Sequence, residues 1–535
     1  MATPRVLIAD AVSKDCDQIL RSHSIDVTRA VGLSPEELGA MVHDYDGMIV
    51  RSAVKVDRSM IERMNGMRAI GRAGTGVDNI DVVAATERGI IVMNVPEGNT
   101  ISAAEHAVAL LLSLLRKIPA ANASIRSGAW DRKSFTGTEV LDKRVGILGM
   151  GRIGREVAVR LKAFGATIIG HDPVLSADAV RSLGAEPVTF DELIETSDIV
   201  SIHIPLLPET RGLIGHAELN RMREGAIIVN AARGGIVDES ALLDALNSGR
   251  IAGAAIDVYE KEPPELPSPL VEHPNVVATP HIAASTREAQ ERVAISIAHQ
   301  LAEYFEGAGA RGVVNARGLE GSLGSDAMPL MEAARTLGVL LGQLVGCEDV
   351  GCRLTAYGAD AAEIVRGLSA SFLAGLFSQK EPAANAINAE LLATRHNVKV
   401  MTAGEGAHAS YTNLITADVS SATATRSAAA TVFGHRDVRI VALDGVDLDV
   451  RPEGTLLLFS NADQPGVLAA VSGVLARNGI NIANVSLGRR EGVGKALTVI
   501  RVDDPLNDEI MAEVTALDMV EGARILRFPE GSAGR

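Results

Sequence analysis

Cysteine is scarce in this chain. Cys16, Cys347 and Cys352 are the only three in 535 residues, too few for a disulfide framework and too scattered for a thiolate metal site. Such usage points to a reducing compartment. Aromatic residues make up 3% of the chain, with one tryptophan, so base-stacking platforms for single-stranded nucleic acid are not expected. Positive charge is also short: Lys and Arg number 51 against 67 Asp and Glu, a net charge of −16. That balance disfavours a general phosphate-backbone binder and leaves room only for a local basic pocket around a small anion. The longest apolar window, AVALLLSLL from Ala107 to Leu115, falls far short of a membrane span. The opening MATPRVLIAD runs directly into a strand-like segment without the apolar core of a secretory leader. A soluble, cytosolic protein is expected.

Apolar residues are plentiful at 47%, and 535 residues exceed what one core organises, so three or four domains are expected. To about residue 315, strand-like runs alternate with amphipathic helical stretches, which predicts parallel α/β structure. RVLIAD (5–10), GMIVRS (47–52), MRAIGRAG (67–74) and IIVMNVP (90–96) read as four strands, and ISAAEHAVALLLSLLRKI (101–118) as one long apolar helix. A second series begins at KRVGILGMG (143–151) and runs to His281. The helical stretch 285–307 then returns to the first domain, making the second an insertion. The Gly- and Ala-rich segment over 308–325 reads as a linker, and 326–452 as mixed α and β. From 453 the order strand, helix, strand, strand, helix, strand describes a ferredoxin-like βαββαβ module.

The strongest local signal is VGILGMGRIGREVAVRLKAFG. Gly149, Gly151 and Gly154 fit G-x-G-x-x-G between a strand and a helix that ends near Gly165. Glycine serves there because the loop turns tightly, its backbone approaches a pyrophosphate, and the helix packs closely on the strand. The free N–H groups of the helix start then face the anion. A second strand, ATIIGHDP, ends in Asp172, eighteen residues beyond the last glycine. An acid there accepts hydrogen bonds from the adenosine ribose and repels a 2′-phosphate, which favours NAD over NADP.

Three later strands each end in a reactive side chain. GAIIVNAARGG reaches Arg233, IAGAAIDVYEKEPP passes Asp257 to Glu262, and NVVATPH ends a short buried strand with Pro280 and His281. Ligands of an open parallel sheet sit beyond the carboxyl ends of its strands. An arginine grips a carboxylate in a two-point fork, a histidine takes a hydroxyl proton as hydride leaves, and a carboxylate behind it fixes its tautomer. Each residue alone has a bland reading as surface charge or cap; the trio behind a dinucleotide loop does not. His203 and His273 read as structural.

NAARGGIVDE, DVYEKEPP and TPHIAAST, with GMGRIG upstream, resemble the signatures of the D-isomer-specific 2-hydroxyacid dehydrogenases. The resemblance implies Arg233, Glu262 and His281 as catalytic residues. It implies NAD contacts at Thr75, Gly149, Gly151, Arg152, Ile153, Gly154, Asp172, Ile204, Ala231, Ala232, Arg233 and Asp257, and from His281 through Ile282 and Ala283 to Ala284. It also implies a Rossmann-type doubly wound NAD domain (99–284) inserted in a flavodoxin-like substrate domain (1–98 and 285–315). RAGTGVDNID (72–81) resembles the substrate loop, with backbone N–H groups around Gly74, Thr75 and Gly76 receiving a carboxylate. Arg51, Arg72 and Arg132, beside Arg233 and His281, would suit a substrate with a second anion such as a phosphate.

About 220 residues follow the dehydrogenase core, and DQPG with NGINIANVS resembles an ACT domain (453–535) behind an intervening domain (316–452). Long family members of this kind imply 3-phospho-D-glycerate as substrate, L-serine as an effector near Asp463 and Asn481, and a homo-oligomer, dimer or tetramer. No metal, nucleic acid or membrane partner is expected. Arg439 and Arg451 could hold an anion, though ordinary ion pairing is the simpler reading. Reduction of hydroxypyruvate, glyoxylate or 2-oxoglutarate uses the same catalytic residues and stays open, as does a non-catalytic NAD-sensing scaffold.

Overall fold

The computed structural model describes residues 3–529 apart from 317, 320, 321, 323, 325, 435 and 491–493. Part of the expected linker, and the terminal domain beyond 529, lie outside the described residues. Internal contacts divide the chain into two units. One comprises Met1–Arg72, Gly76–Asn94 and Ile297–Arg535, the other Ala73–Thr75 and Val95–Ser296. The helix Arg287–Glu306, expected to belong wholly to the first domain, is divided between them. Its first half packs Val293 against Gly98, and its second half packs Ile297 and Leu301 against Gly71.

The first unit opens with a parallel sheet of β1 (Arg5–Ile8), β2 (Asp26–Arg29), β3 (Gly47–Val50), β4 (Ala69–Arg72) and β5 (Ile91–Met93), in the order β2-β1-β3-β4-β5. That is the flavodoxin-like order. Strand β2 is missing from the expected set because DVTR lies at the sheet edge and buries only Val27. Strand β3, by contrast, is buried throughout and reads as an unbroken apolar run, as a central parallel strand must.

The second unit holds a seven-stranded parallel sheet: β6 (Arg144–Leu148), β7 (Thr167–His171), β8 (Glu186–Pro187), β9 (Ile199–Ile202), β10 (Ala226–Asn230), β11 (Ile251–Ile256) and β12 (Val276–Ala278). Its order, β12-β11-β10-β9-β6-β7-β8, reverses at β6 and β9, the Rossmann arrangement. One apolar core covers each face; the helix Thr100–Leu115 supplies Ala104, Ala107, Val108 and Leu111 to one of them. Val108 and Leu111, once buried, each contribute about 1.5–3 kcal/mol. The expected single helix over 101–118 ends at Leu115. Lys117 turns left-handed at φ +51°, and a new helix, Ile118–Arg126, starts with Pro119 in its first turn. Strand β12 is half-buried rather than buried, because it forms the edge of the sheet.

The rest of the first unit is built on two antiparallel-rich sheets. One contains β13 (Gly351–Tyr357), β14 (Lys399–Glu405), β15 (Leu414–Ser420), β16 (Thr425–Phe433), β17 (Asp437–Leu443) and β18 (Val446–Val450), ordered β14-β13-β15-β16-β17-β18. The other contains β19 (Thr455–Ala462), β20 (Ile482–Arg490), β21 (Lys495–Val502) and β22 (Val520–Arg527), ordered β20-β21-β19-β22 with the helices Val467–Arg477 and Asp508–Thr515. Strand β19 explains its own sequence. Leu457 and Phe459 face these helices, while Leu456 and Leu458 join the core of the preceding sheet. With both faces buried, TLLLFS shows no polar alternation.

Asn385 and Asn388 tie this region to the first sheet. Their side-chain amides donate to the carbonyls of Gly89 (3.0 Å) and Glu87 (3.4 Å), just before β5. Among the described residues no single helix is long and apolar enough to cross a membrane. Cys16 and Cys352 are buried free thiols whose pKa burial pushes up to about 12, which leaves them unreactive.

The helices Met328–Val345 and Val365–Phe377 approach backbone to backbone through glycines. A Cβ on Gly338 would stand 1.9 Å from the Phe372 carbonyl oxygen, and one on Gly375 2.1 Å from that of Arg335. Neither backbone can yield, so Gly338→Ala is expected to destabilise this region by about 1–3 kcal/mol. Urea denaturation followed by circular dichroism reads the effect, and an unshifted transition would contradict this packing.

Candidate active site

The glycine loop leaves β6 through Gly149, at φ +95°, whose N–H donates to the His171 carbonyl at 2.8 Å. A Cβ at Gly149 would meet the His203 carbonyl oxygen at 2.7 Å, and one at Gly154 the Gly149 oxygen at 1.9 Å. Gly151 caps the twelve-residue helix Arg152–Ala163, whose first N–H groups have no partner within the helix. The cradle therefore fits a dinucleotide pyrophosphate, with Gly149 and Gly154 held to glycine by the backbone they approach. Ile204, nearly buried, packs on Gly149; Ile153 is half-buried, and Arg152 Nε lies 3.2 Å from Glu97 Oε1.

Asp172 follows β7 and braces this loop. Its Oδ2 accepts from the Met150 N–H at 2.9 Å, while Oδ1 accepts from Val174 at 2.9 Å and Leu175 at 3.2 Å. The acid expected from the sequence to meet a ribose thus fixes the glycine turn. His203 sits beside Ser201, its Nε2 2.8 Å from Oγ, and burial pushes its pKa down to about 4, which keeps the ring neutral.

Beyond β10, Asn230 shapes the turn that carries Arg233. Its side chain accepts from the Ala232 N–H (3.1 Å) and donates to the Arg233 carbonyl (3.0 Å), and the turn holds Ala231, Ala232 and Arg233 half-buried. Arg233 Nη1 donates to the Ala232 carbonyl at 2.7 Å. Gly234 is required next, because a Cβ there would stand 1.8 Å from the Tyr259 oxygen.

Asp257, at the end of β11, has no exposed surface. Its Oδ1 accepts from Thr279 Oγ1 (2.6 Å) and the Ile282 N–H (2.9 Å), and its Oδ2 from the Ala283 N–H (2.8 Å). The sequence reading placed Asp257 on the cofactor. Fully buried, it supports the loop after β12 through these bonds. Ile282 is exposed, Ala283 buried and Ala284 half-buried on that loop.

That loop presents His281 at φ +52°, its Nδ1 2.6 Å from Glu262 Oε2. Glu262 Oε1 accepts from the Tyr259 N–H at 3.1 Å. The hydrogen bond to Glu262 raises the His281 pKa above the usual imidazole value, against burial and the nearby Arg233 charge. For Glu262, burial acts upward but is outweighed by the bonds from His281 and the Tyr259 amide, so its carboxyl is held low. With Nδ1 engaged, Nε2 is the nitrogen left to exchange a proton.

Elsewhere, Gly74, at φ +150°, accepts from the Val95 N–H at 2.9 Å, and Thr75 Oγ1 lies 2.6 Å from Asn99 Oδ1. In the first unit Arg72 closes β4 and Arg51 follows β3; Gly76 is half-buried. The Arg51 turn hangs on Asp10, whose Oδ2 accepts from the N–H groups of Arg51, Ala53 and Val54. Arg132 lies on an exposed loop. The two expected effector residues have separate partners. Asp463 Oδ2 lies 3.3 Å from Arg489 Nε, and Asn481 Nδ2 lies 2.5 Å from Asp503 Oδ2. Arg439 pairs with Asp437 and Asp449, and Arg451 with Asp437, as ordinary ion pairing predicts. No cluster of potential metal ligands occurs among the described residues.

Comparison with known proteins adds to this geometry. Residues 108–283 match the model of the D-isomer specific 2-hydroxyacid dehydrogenase NAD binding domain, 327–444 that of the D-3-phosphoglycerate dehydrogenase intervening domain, and 455–518 that of the ACT domain. A D-3-phosphoglycerate dehydrogenase of Archaeoglobus fulgidus is 39% identical over 96% of this chain and 98% of its own length. One of Homo sapiens is 39% identical over 89% and 91%. A glyoxylate reductase structure from Paecilomyes thermophila matches at 33% identity and a TM-score of 0.54, covering 58% of this chain and 99% of that one.

Because Glu262 is the main cause of the raised His281 pKa, Glu262→Gln should lower it toward the ordinary imidazole value. A histidine NMR titration reads this directly. An unmoved titration would show that the 2.6 Å contact does not set the charge of the ring.

Proposed function

The chain belongs to the D-3-phosphoglycerate dehydrogenases within the D-isomer-specific 2-hydroxyacid dehydrogenases, and from that premise we propose that it oxidises 3-phospho-D-glycerate to 3-phosphooxypyruvate with NAD, the first committed step toward L-serine. The observation that carries the reading is the His281–Glu262 pair, at the same sheet end as Arg233 and the glycine cradle. Arg233 forks the substrate carboxylate and orients C2. His281 Nε2 takes the hydroxyl proton, and Glu262 stabilises the imidazolium that forms. NAD bound there would supply the acceptor for the C2 hydride. The amides at Gly74, Thr75 and Gly76 are assigned to the carboxylate, and Arg51, Arg72 and Arg132 to the phosphate charge. The pyrophosphate is assigned to Gly149, Gly151, Arg152, Ile153 and Gly154, and the ribose to Asp172. The wider NAD contacts at Thr75, Ile204, Ala231, Ala232, Ile282, Ala283 and Ala284 belong to the same proposal, as does the four-domain division at 98/99, 284/285, 315/316 and 452/453.

The raised His281 pKa gives the reaction a direction with pH. The base must be neutral for oxidation, so the oxidation rate climbs as pH rises through a limb above the ordinary histidine range, and reduction is favoured below it. His281→Ala and Arg233→Ala are expected to lose at least about a thousandfold in turnover of 3-phosphoglycerate while still binding NAD by calorimetry. Loss of NAD affinity in both variants would sink the assignment. Faster wild-type turnover of hydroxypyruvate or glyoxylate than of the phosphorylated acid would move the substrate.

We also propose a cytoplasmic homo-oligomer under feedback control by L-serine. Exposed Ile118 and Ile125 on one helix, and Trp130 in the loop after it, suit a subunit contact. Serine is assigned to the start of the helix Val467–Arg477, its ammonium on Asp463, its carboxylate on the free amides, with Asn481 beside them. Coupling of about 1–3 kcal/mol is the usual scale for such control. In the full-length enzyme Asp463→Ala should abolish the calorimetric serine signal and the inhibition together. Serine binding unchanged by the substitution would exclude this site.

A further inference from the structure

The helix Thr100–Leu115 is read above as a core helix, yet its rim carries two polar side chains one turn apart, Ser102 and His106, which share a face. Ser102 Oγ lies 2.8 Å from Thr286 Oγ1, and His106 Nε2 lies 3.1 Å from Thr279 Oγ1. These contacts bracket, from before and after, the segment that bears His281.

Proton accounting fixes what His106 does. Thr279 has a single hydroxyl proton, and at 2.6 Å it belongs to Asp257 Oδ1. Nε2 of His106 is therefore the donor, into the Thr279 oxygen and, at 3.3 Å, toward Asp257 Oδ1. Asp257 is fully buried, and burial alone would drive its carboxyl toward the neutral form. The donors outweigh it, with His106 first among them, followed by Thr279 and the Ile282 and Ala283 amides. The object of this hub is His281, whose left-handed backbone (φ +52°) is costly for a residue with a side chain and persists only where its surroundings over-determine it. The His281 N–H donates to the Thr279 carbonyl at 3.1 Å, and the Tyr259 hydroxyl donates to the same oxygen at 2.9 Å.

We propose that His106 is a positioning residue for the reaction: through Thr279 and Asp257 it locks the backbone that delivers the His281 imidazole to Glu262. The inference rests on His281 being the acid–base, and His106 itself touches no reacting atom.

The test uses the full-length enzyme with His106→Ala and His106→Met, which cannot donate, and His106→Gln, whose terminal amide restores a donor. His281→Ala serves as reference. The non-donors are expected to lower kcat about ten- to a hundredfold. Substrate KM and NAD affinity should stay within about twofold, a smaller change than a lost direct contact produces. The pH limb of kcat should move to lower values as the Glu262 bond slackens. Among the described residues, the charged groups acting on His281 are Glu262, Asp257 and Arg233, and Asp257 pairs with His106, so the limb reads this set. His106→Gln should restore most of the rate and the limb. If the Ala variant fails to fold, Met takes its place. A packing role alone would lower the melting midpoint and leave kcat and the pH limb unmoved, which overturns the proposal, as does failure of Gln to rescue a folded enzyme. A wild type that oxidises no D-2-hydroxy acid would instead sink the activity reading, so the two failures are distinguishable.

Discussion

An all-parallel sheet forces every strand to be entered from the same side, so every strand also ends on the same side. The active-site chemistry of this protein depends on that constraint. Strands β6, β7, β10, β11 and β12 lie in one sheet, and their carboxyl ends carry Gly149, Asp172, Arg233, Glu262 and His281. Residues separated by more than a hundred positions thus share one rim without any loop having to reach for another. What remains is to hold each loop still, because a strand end fixes position but not orientation.

Orientation is supplied by polar side chains that hydrogen-bond the backbone of these loops. Asp172 holds Met150, Asn230 holds both Ala232 and Arg233, Asp257 holds Ile282 and Ala283, and in the first unit Asp10 holds Arg51, Ala53 and Val54. Each is a short acid or amide placed at or just past a strand end. A longer side chain there would lose more rotamer freedom in fixing the same N–H groups. The same device recurs at four loops because each poses the same problem: irregular backbone past a strand end, with N–H groups that no ladder satisfies.

This division explains what the sequence made legible. Arg233, Glu262, His281 and the three glycines stand out because their chemistry is unusual where a strand stops, and each can be read within ten residues of chain. The supporting layer cannot be read that way. His106 meets Thr279 across 173 positions, and Asp10 meets the Arg51 loop across 41. In the sequence, His106 is a polar residue inside an apolar helix, and Asp10 a charge after a strand. Asp257 is placed on the cofactor by the family resemblance alone, and only the fold reveals that its carboxylate also accepts from the Thr279 hydroxyl and the Ile282 and Ala283 amides. Edge strands escaped for a different reason. β2 and β8 are short and lack a continuous apolar run, since an edge buries too little to demand one.

The same burial logic bears on the terminal module. A βαββαβ unit standing alone presents its open sheet face to water, and that face then alternates apolar and polar residues. Here Leu456, Leu458, Val499 and Leu526 on that face are buried in the core of the preceding sheet, together with Phe528 just past β22. Gln343 closes the edge by exchanging two hydrogen bonds with Arg527, at 3.0 and 2.8 Å. Cut away at 453, the module would expose at least four large aliphatic side chains, each costing about 1.5–3 kcal/mol to hydrate. Its stability therefore belongs to the combined core, and through that core and Asn388 the module is joined to the turn before β5.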